Sequence, residues 1–192
     1  MPTRIARFLA ANAGADASSG TICHHGRVNS PSGVRVRPAR MTDQAALAQL
    51  DALAWSAEAG FPSIAGFKDG AFFTTDSPPE AHLVAELDGT VIGYIRLKPP
   101  TRLLENAHVI QIQGLAVHPG ARRHGAAGCL LDAAEKQLRD RGIRKLTLRV
   151  LSTNESAIRL YERRGFVREG TLLEEFRING RFVDDVIMAK RL

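Results

Sequence analysis

The chain has 192 residues, of which 44% are hydrophobic and 24% are charged, and it carries two cysteines. This composition excludes a mainly disordered chain, a collagen-like repeat and a disulfide scaffold. No stretch approaches the roughly 20 apolar residues of a membrane-spanning helix, so a multi-pass membrane protein is excluded and no membrane partner is expected. At about 100–200 residues per domain, the length predicts one domain with a short extension.

The formal net charge is +6, and 21 of the 26 basic residues are arginine. Either genome composition or an anionic partner, such as a nucleic acid or a phosphate-rich cofactor, accounts for this excess, because the guanidinium group is a planar fork suited to phosphate. No aromatic RNA-binding motif and no clustered basic stripe accompanies the charge. We therefore expect no nucleic-acid partner.

Residues 1–33 show no sustained helix or strand period, which predicts a flexible or disordered leader before a domain at residues 34–192. The apolar run near the N-terminus is shorter than an export-signal core of about 7–15 residues, so we expect a cytoplasmic protein. Cys23, His24 and His25 are metal-ligand types, but nothing supplies the second ligand pair that a zinc site needs. No metal is expected.

From residue 34 onward the apolar positions follow regular strand and helix periods. They predict about seven strands, at residues 34–37, 82–87, 91–97, 108–117, 146–150, 172–178 and 182–188. They also predict about four helices, which start near residues 42, 60, 120 and 154. Because helices do not alternate with every strand, this order predicts an α/β domain with a mixed sheet and not a doubly wound fold.

The most informative stretch is a strand that runs through a glycine- and arginine-rich loop directly into a helix. The loop and the first helical turn consist of Arg122, Arg123, His124, Gly125, Ala126, Ala127 and Gly128. A helix N-terminus has unpaired N–H groups and a partial positive charge, and small residues let a ligand approach that backbone closely. The stretch indicates a phosphate cradle, although a solvated basic turn has the same pattern.

A second stretch has the pattern N-x-x-A-x-x-L-Y-x-x-x-G-F at residues 154–166. Taken alone, Asn154 starts a helix and Tyr161 is a core aromatic residue. Together with R-x-x-G-x-A at residues 122–127, however, the pattern resembles the two linked motifs of the GNAT superfamily of N-acetyltransferases. The resemblance covers residues 34–192, with the motifs in the family's order.

The resemblance implies a GNAT fold, with a mostly antiparallel sheet that splays between strands four and five, and acetyl-CoA as cosubstrate in that gap. Strand four would carry a bulge at Gly114. The implied cofactor contacts are the main chain of Leu115, Ala116 and Val117 for the pantetheine arm, the backbone of residues 122–128 for the pyrophosphate, and Asn154 beside the arm. Tyr161 would protonate the leaving thiolate.

The general base is not readable from the motifs. Histone-type members carry a glutamate where this chain has Gln111, which cannot take up a proton. The remaining candidates are Glu105, His108, Glu174 and Glu175. Deprotonation at pH 7 costs about 4.6 kcal/mol for a lysine amine and about 1.1 kcal/mol for a peptide α-amine. A site without a strong base therefore fits an α-amine better than a lysine amine, with a free amino acid between the two because its carboxylate raises the pKa of its amine. We favour a small α-amine, such as an amino acid, as the acceptor.

Several alternatives stay open. The ending at residues 169–188 is similar both to bacterial amino-acid acetyltransferases and to ribosomal-protein N-terminal acetyltransferases, so a polypeptide N-terminus is the second acceptor. An antibiotic amine is the third. A domain that binds acetyl-CoA without catalysis would not need a proton donor at Tyr161. Many relatives are dimers, which makes a homodimer an option for which the sequence gives no independent signal.

Overall fold

The computed structural model describes residues 21–22, 33–54 and 71–192. Its long strands are β1 (Arg35–Pro38), β2 (His82–Leu87), β3 (Thr90–Lys98), β4 (Val109–Val117), β5 (Lys145–Leu151), β6 (Val167–Ile178) and β7 (Arg181–Arg191). The α-helices within these ranges are α1 (Gln44–Ala54), α2 (Ala126–Asp140) and α3 (Glu155–Arg163). The order β1-α1-β2-β3-β4-α2-β5-α3-β6-β7 confirms the predicted sequence of elements.

The strands form one mixed sheet in the order β1-β2-β3-β4-β5-β7-β6. β4 and β5 run parallel, and every other neighbouring pair of these strands is antiparallel. Thr21–Ile22, which falls within the predicted leader, adds a two-residue antiparallel strand beside β1. The predicted mostly antiparallel sheet of about seven strands is therefore confirmed.

Two predicted features differ from the structure or fall outside it. β6 begins at Val167, five residues before the predicted start. The first part of the strand was missed because two register shifts interrupt its pairing with β7 and obscure the alternation of apolar and polar residues. The short helix predicted near residue 60 and the cluster of Cys23, His24 and His25 lie outside the described residues. No helix in the described ranges is long and apolar enough to cross a membrane.

The helices cover both faces of the sheet. α2 and α3 pack on one face, where a large core contains Leu130, Leu131, Leu138, Leu146 and Leu148, all at most 1% exposed. α1 packs on the opposite face, where a smaller core contains Leu47, Leu50, Phe73, Val84, Tyr94 and Ala116. Each face therefore has its own apolar layer, and the sheet between them positions the strand ends.

His82 anchors the segment before β2 to the smaller core. Its ring is 2% exposed, and Nδ1 lies 2.9 Å from the carbonyl oxygen of Pro78. The rings of Phe72, Phe73 and Tyr94 have centroids 5.1 to 6.1 Å from the imidazole. Burial lowers the pKa of His82 from 6.5 to about 4. The imidazole is therefore neutral at pH 7, and its Nδ1–H donates to the carbonyl.

We predict that acidification destabilises the fold through His82. Below pH 6.5 the unfolded chain takes up a proton that the folded chain refuses, so stability falls as the pH drops toward about 4. The free energy of unfolding should be about 2 kcal/mol lower at pH 5 than at pH 7. Urea denaturation between pH 5 and pH 7 should show this dependence of the free energy of unfolding on pH in wild type and in the control His108→Gln, which changes an exposed residue. His82→Gln should lack it. An unchanged slope in His82→Gln contradicts this role.

Candidate functional site

β4 and β5 separate partway along their length. Their parallel pairing begins at Val109 with Lys145 and ends at Ile112 with Leu148. β4 continues to Val117 and still pairs with β3 there, but its other edge has no partner among the described strands. The register with β3 uses the backbone groups of Ala116, whereas those of Leu115 and Val117 point into the open gap. The sheet is splayed between strands four and five, as predicted.

A β-bulge in β4 marks the point where the gap opens. Leu97 of β3 pairs with Ile112, whereas the preceding Arg96 pairs with Gly114, so Gln113 is the extra residue. The predicted bulge is therefore confirmed, with Gly114 directly after the residue that has no partner. Because a bulge increases the local twist, it turns the rest of β4 away from β5.

The bulge also exchanges the two faces of β4. Ile112 lies in the large core below α2, and after the bulge Leu115 and Val117 pack against the same core. Ala116 faces the smaller core on the opposite side of the sheet. Without the extra residue, the alternation of period two would direct Ala116 toward α2 instead.

The loop before α2 ends in a backbone conformation that exposes the helix N-terminus. Arg123 and Gly125 have φ angles of 66° and 80°, in the left-handed region. Gly125 is the N-cap, and no side chain accepts a hydrogen bond from the first turn. The first intrahelical bond runs from Cys129 N–H to the Gly125 carbonyl, so the amides before Cys129 stay available. Residues 122–125 are exposed, which leaves this cradle accessible.

Two histidines beside the cradle form hydrogen bonds with the backbone of the loop. His118 accepts a hydrogen bond from the Gly120 N–H at its Nδ1, 3.1 Å away. His124 Nδ1 lies 2.9 Å from the carbonyl oxygen of Arg122, which can only accept, so this nitrogen carries the proton. Both side chains therefore help to shape the loop.

Arg164 completes the cradle from the other helix. Its guanidinium occupies the space that a side chain at residue 128 would fill, because a Cβ on Gly128 would overlap Nη2 and lie 3.0 Å from Cζ. Nη1 forms an ion pair with Asp132, which is one helical turn after Gly128. Arg164 was not predicted from the sequence, because no local pattern indicates that an arginine at the end of α3 reaches α2.

Tyr161 lies on α3, which follows β5 across the gap from β4. It is 7% exposed, and its ring packs edge-on against Phe166 with centroids 5.5 Å apart. Its hydroxyl has no hydrogen-bond partner among the described residues. Burial raises the pKa of Tyr161 above its usual value, so the phenol stays protonated at neutral pH.

Asn154 caps α3 at the end of β5. Its Oδ1 accepts hydrogen bonds from the Ala157 N–H and the Ser156 hydroxyl, both at 3.1 Å. The carboxamide oxygen is therefore used by the helix, whereas the carboxamide nitrogen stays a free donor among the described residues. The structural interpretation of Asn154 as a helix start holds, and it leaves the amide NH₂ for a ligand.

The structure separates the candidate bases. Glu175 forms an ion pair with Arg149 at 2.8 Å. Glu105 and His108 precede β4, at the end of the strand that is still paired with β5. Glu174 has a left-handed φ of 52° and is exposed. In the described residues, no group of three His, Cys, Asp or Glu side chains could hold a metal ion.

Comparison with known proteins places the chain in a family. The model of the acetyltransferase (GNAT) family matches residues 47–166, and the chain belongs to this family. An uncharacterised N-acetyltransferase of Bacillus subtilis, YhfO, is 31% identical over 137 residues, which is 69% of this chain and 89% of that protein. An acetyltransferase of Yersinia pestis is 33% identical over 95 residues, 50% of this chain. The chain spans 63% of the length of that relative.

Solved structures share the fold at lower identity. YncA of Salmonella typhimurium, a putative acetyltransferase solved with its cofactor acetyl-CoA, aligns with a TM-score of 0.67 and 22% identity over 84% of this chain and 95% of its own. A ribosomal-protein-alanine N-acetyltransferase of Brucella melitensis aligns with a TM-score of 0.62 and 24% identity over 82% and 99%. These similarities support the fold assignment.

We predict that Gly128→Ala weakens acetyl-CoA binding without unfolding the protein. The new Cβ must displace the flexible guanidinium of Arg164, while alanine improves helix propensity by about 1 kcal/mol. The dissociation constant for acetyl-CoA should rise about tenfold, because one charge-assisted hydrogen bond from Arg164 is lost. Isothermal titration calorimetry with acetyl-CoA measures it. Asp132→Asn, which frees Arg164 without adding volume, should act in the same direction. Unchanged affinity in both variants contradicts a role for Arg164.

Proposed function

We propose that this protein transfers the acetyl group of acetyl-CoA directly to a primary amine, with a small α-amine such as an amino acid as the preferred acceptor. The observation that carries the proposal is the unpaired edge of β4 leading toward the open N-terminus of α2. Tyr161 lies across the same gap with an unpaired hydroxyl. Membership in the GNAT family supports this assignment.

The residues along the gap fit acetyl-CoA in chemistry. The main-chain groups of Leu115 and Val117 on the open edge match the amides of the pantetheine arm, and Ala116 between them holds β4 to β3. The free carboxamide nitrogen of Asn154 offers a donor from the β5 side. The cradle donates backbone N–H groups and positive charge to the pyrophosphate through Arg122, Arg123, His124, Gly125, Ala126, Ala127 and Gly128.

Tyr161 is proposed to donate a proton to the leaving thiolate. Acetyl-CoA supplies a thioester that a neutral amine attacks directly, so a thiolate departs and requires a proton or a strong hydrogen bond. The raised pKa of Tyr161 keeps its hydroxyl in the donor form. Because no described residue forms a hydrogen bond with that hydroxyl, it is available to donate to the sulfur of the leaving CoA.

The acceptor preference follows from the lack of a dedicated base. Gln111 has a neutral side chain, and Glu175 is neutralised by Arg149. At about 3.3 Å per residue, His108 lies roughly 17 Å from the bulge where the thioester would end. The α-amine of a polypeptide loses its proton near neutral pH and needs less help than a lysine amine, and the amine of a free amino acid lies between the two because its carboxylate raises the pKa.

A polypeptide N-terminus is the second candidate acceptor. Its α-amine has the same chemistry, and the Brucella enzyme that shares this fold is named a ribosomal-protein-alanine N-acetyltransferase. We also propose that residues 1–33 form a leader to a catalytic domain at residues 34–192. The cytoplasm is the proposed compartment, since acetyl-CoA is available there and Cys129 is a buried cysteine outside any disulfide.

The first experiment is release of free CoA thiol from acetyl-CoA. Purified protein is mixed with acetyl-CoA and with amino acids, short peptides with free N-termini, polyamines or aminoglycosides. The expected result is thiol release with amino acids above all other amines. Preferred release with peptides would support the second candidate instead. Binding of acetyl-CoA without release by any amine would overturn the proposed activity.

We predict that Tyr161→Phe lowers kcat by about 100-fold, in the range of general acid catalysis. The KM for acetyl-CoA should stay within about twofold, because the ring still packs on Phe166 and only the hydroxyl is lost. Steady-state kinetics with the best amine of the panel measures both constants. Urea denaturation should show unchanged stability, since the hydroxyl bonds to no described residue. A kcat close to wild type means that another group protonates the thiolate.

A further inference from the structure

Arg96 of β3 lies beside the β4 bulge with an unsatisfied donor. It pairs in register with Gly114, and its Nη2 donates to the carbonyl oxygen of Gln113 at 3.2 Å. Its Nε is buried and has no hydrogen-bond partner in the described part of the chain. A buried guanidinium N–H without a partner is costly, so the site lacks an acceptor that a ligand can supply.

Arg96 also forms no ion pair among the described residues, and the carboxylate that feels its charge, Asp76, is bonded to Lys98. Tyr94, Arg96 and Lys98 alternate with core residues of β3 and share the face of the sheet that α1 covers. Lys98 on this face bonds to Asp76, and Arg149 of β5 bonds to Glu175. No carboxylate forms an ion pair with Arg96 among the described residues. The free charge therefore favours an anionic group near the bulge.

Gly114 places no side chain between Arg96 and the gap. A Cβ at Gly114 would already be in van der Waals contact with the Tyr94 ring at 3.4 Å and would lie 3.9 Å from Cβ of Arg96, so glycine leaves a methyl-sized floor between these two residues. The Tyr94 hydroxyl donates to the buried carboxylate of Asp51, which holds the ring in place. The floor lies directly after the bulge, where β4 loses its β5 partner.

We propose that Arg96 binds the carboxylate of the acceptor and that the acceptor is a free α-amino acid. This inference rests on the proposed acetyl transfer. Nε and the second N–H of Nη2 form one edge of the guanidinium, which matches the two oxygens of a carboxylate. An α-amino acid separates its carboxylate carbon from its amine by about 2.5 Å. A carboxylate held at Arg96 therefore keeps the amine beside Gly114, at the opening of the gap.

The test compares free amino acids with their carboxamides, which keep the amine and the side chain but lack the negative charge. Wild type should acetylate the free amino acid with a lower KM than its carboxamide. Arg96→Gln should raise the KM for the free amino acid at least tenfold and change the KM for the carboxamide less than twofold. Arg96→Lys, which keeps the charge but loses the fork, should fall between.

Two controls separate this effect from general damage. Arg102→Gln removes an exposed arginine in the segment after β3 and should leave both KM values unchanged. The affinity of Arg96→Gln for acetyl-CoA, measured by calorimetry, should equal that of wild type, because the proposed cofactor contacts do not include the side chain of Arg96. Equal KM increases for amino acid and carboxamide would overturn the proposal, as would a wild type that prefers carboxamides or peptides.

A binding measurement keeps the inference testable if acetyl transfer fails. Free amino acids are titrated into protein saturated with CoA, and the heat of binding is recorded for wild type and Arg96→Gln. If free amino acids bind to wild type and not to Arg96→Gln, the result supports a carboxylate site even when the proposed activity is absent. No binding of any free amino acid to wild type overturns the inference.

Discussion

The end of hydrogen bonding between β4 and β5 is the constraint on which the site depends. Two parallel strands that stayed paired would leave no free main chain, and a ligand would find only side chains there. Pairing stops after Ile112 and Leu148, and the bulge at Gln113 twists the rest of β4 away. One extra residue in a strand thus produces a gap and, beside it, an edge without a partner among the described strands.

The arginine excess divides between structural and binding roles. Arg37 bonds to Asp43 and Glu86 and fixes the start of α1 against β1 and β2. Around the gap, by contrast, Arg122, Arg123 and Arg164 surround an exposed helix N-terminus that has no anionic cap. The local arrangement of guanidinium groups, and not the net charge of the chain, indicates a phosphate-bearing ligand.

Local sequence patterns predicted the fold, but they could not predict contacts between residues far apart in the chain. Strand and helix periods, with glycines at turns, gave the element order, and Gly114 in an apolar strand indicated the bulge. That Gln113 is the residue without a partner depends on the register with β3. The position of Arg164 over Gly128 joins residues far apart in the chain, so no spacing rule reports it. The early start of β6 at Val167 was missed because neither face of that strand is consistently buried.

The ion pair of Arg164 with Asp132 has a consequence for how the site is held before any ligand arrives. α2 follows β4 and α3 follows β5, so this contact ties together the two chain segments that border the gap. The width of the gap is then set by the protein itself. A preorganised gap loses little conformational entropy on binding, so more of the interaction energy with the ligand is retained as affinity.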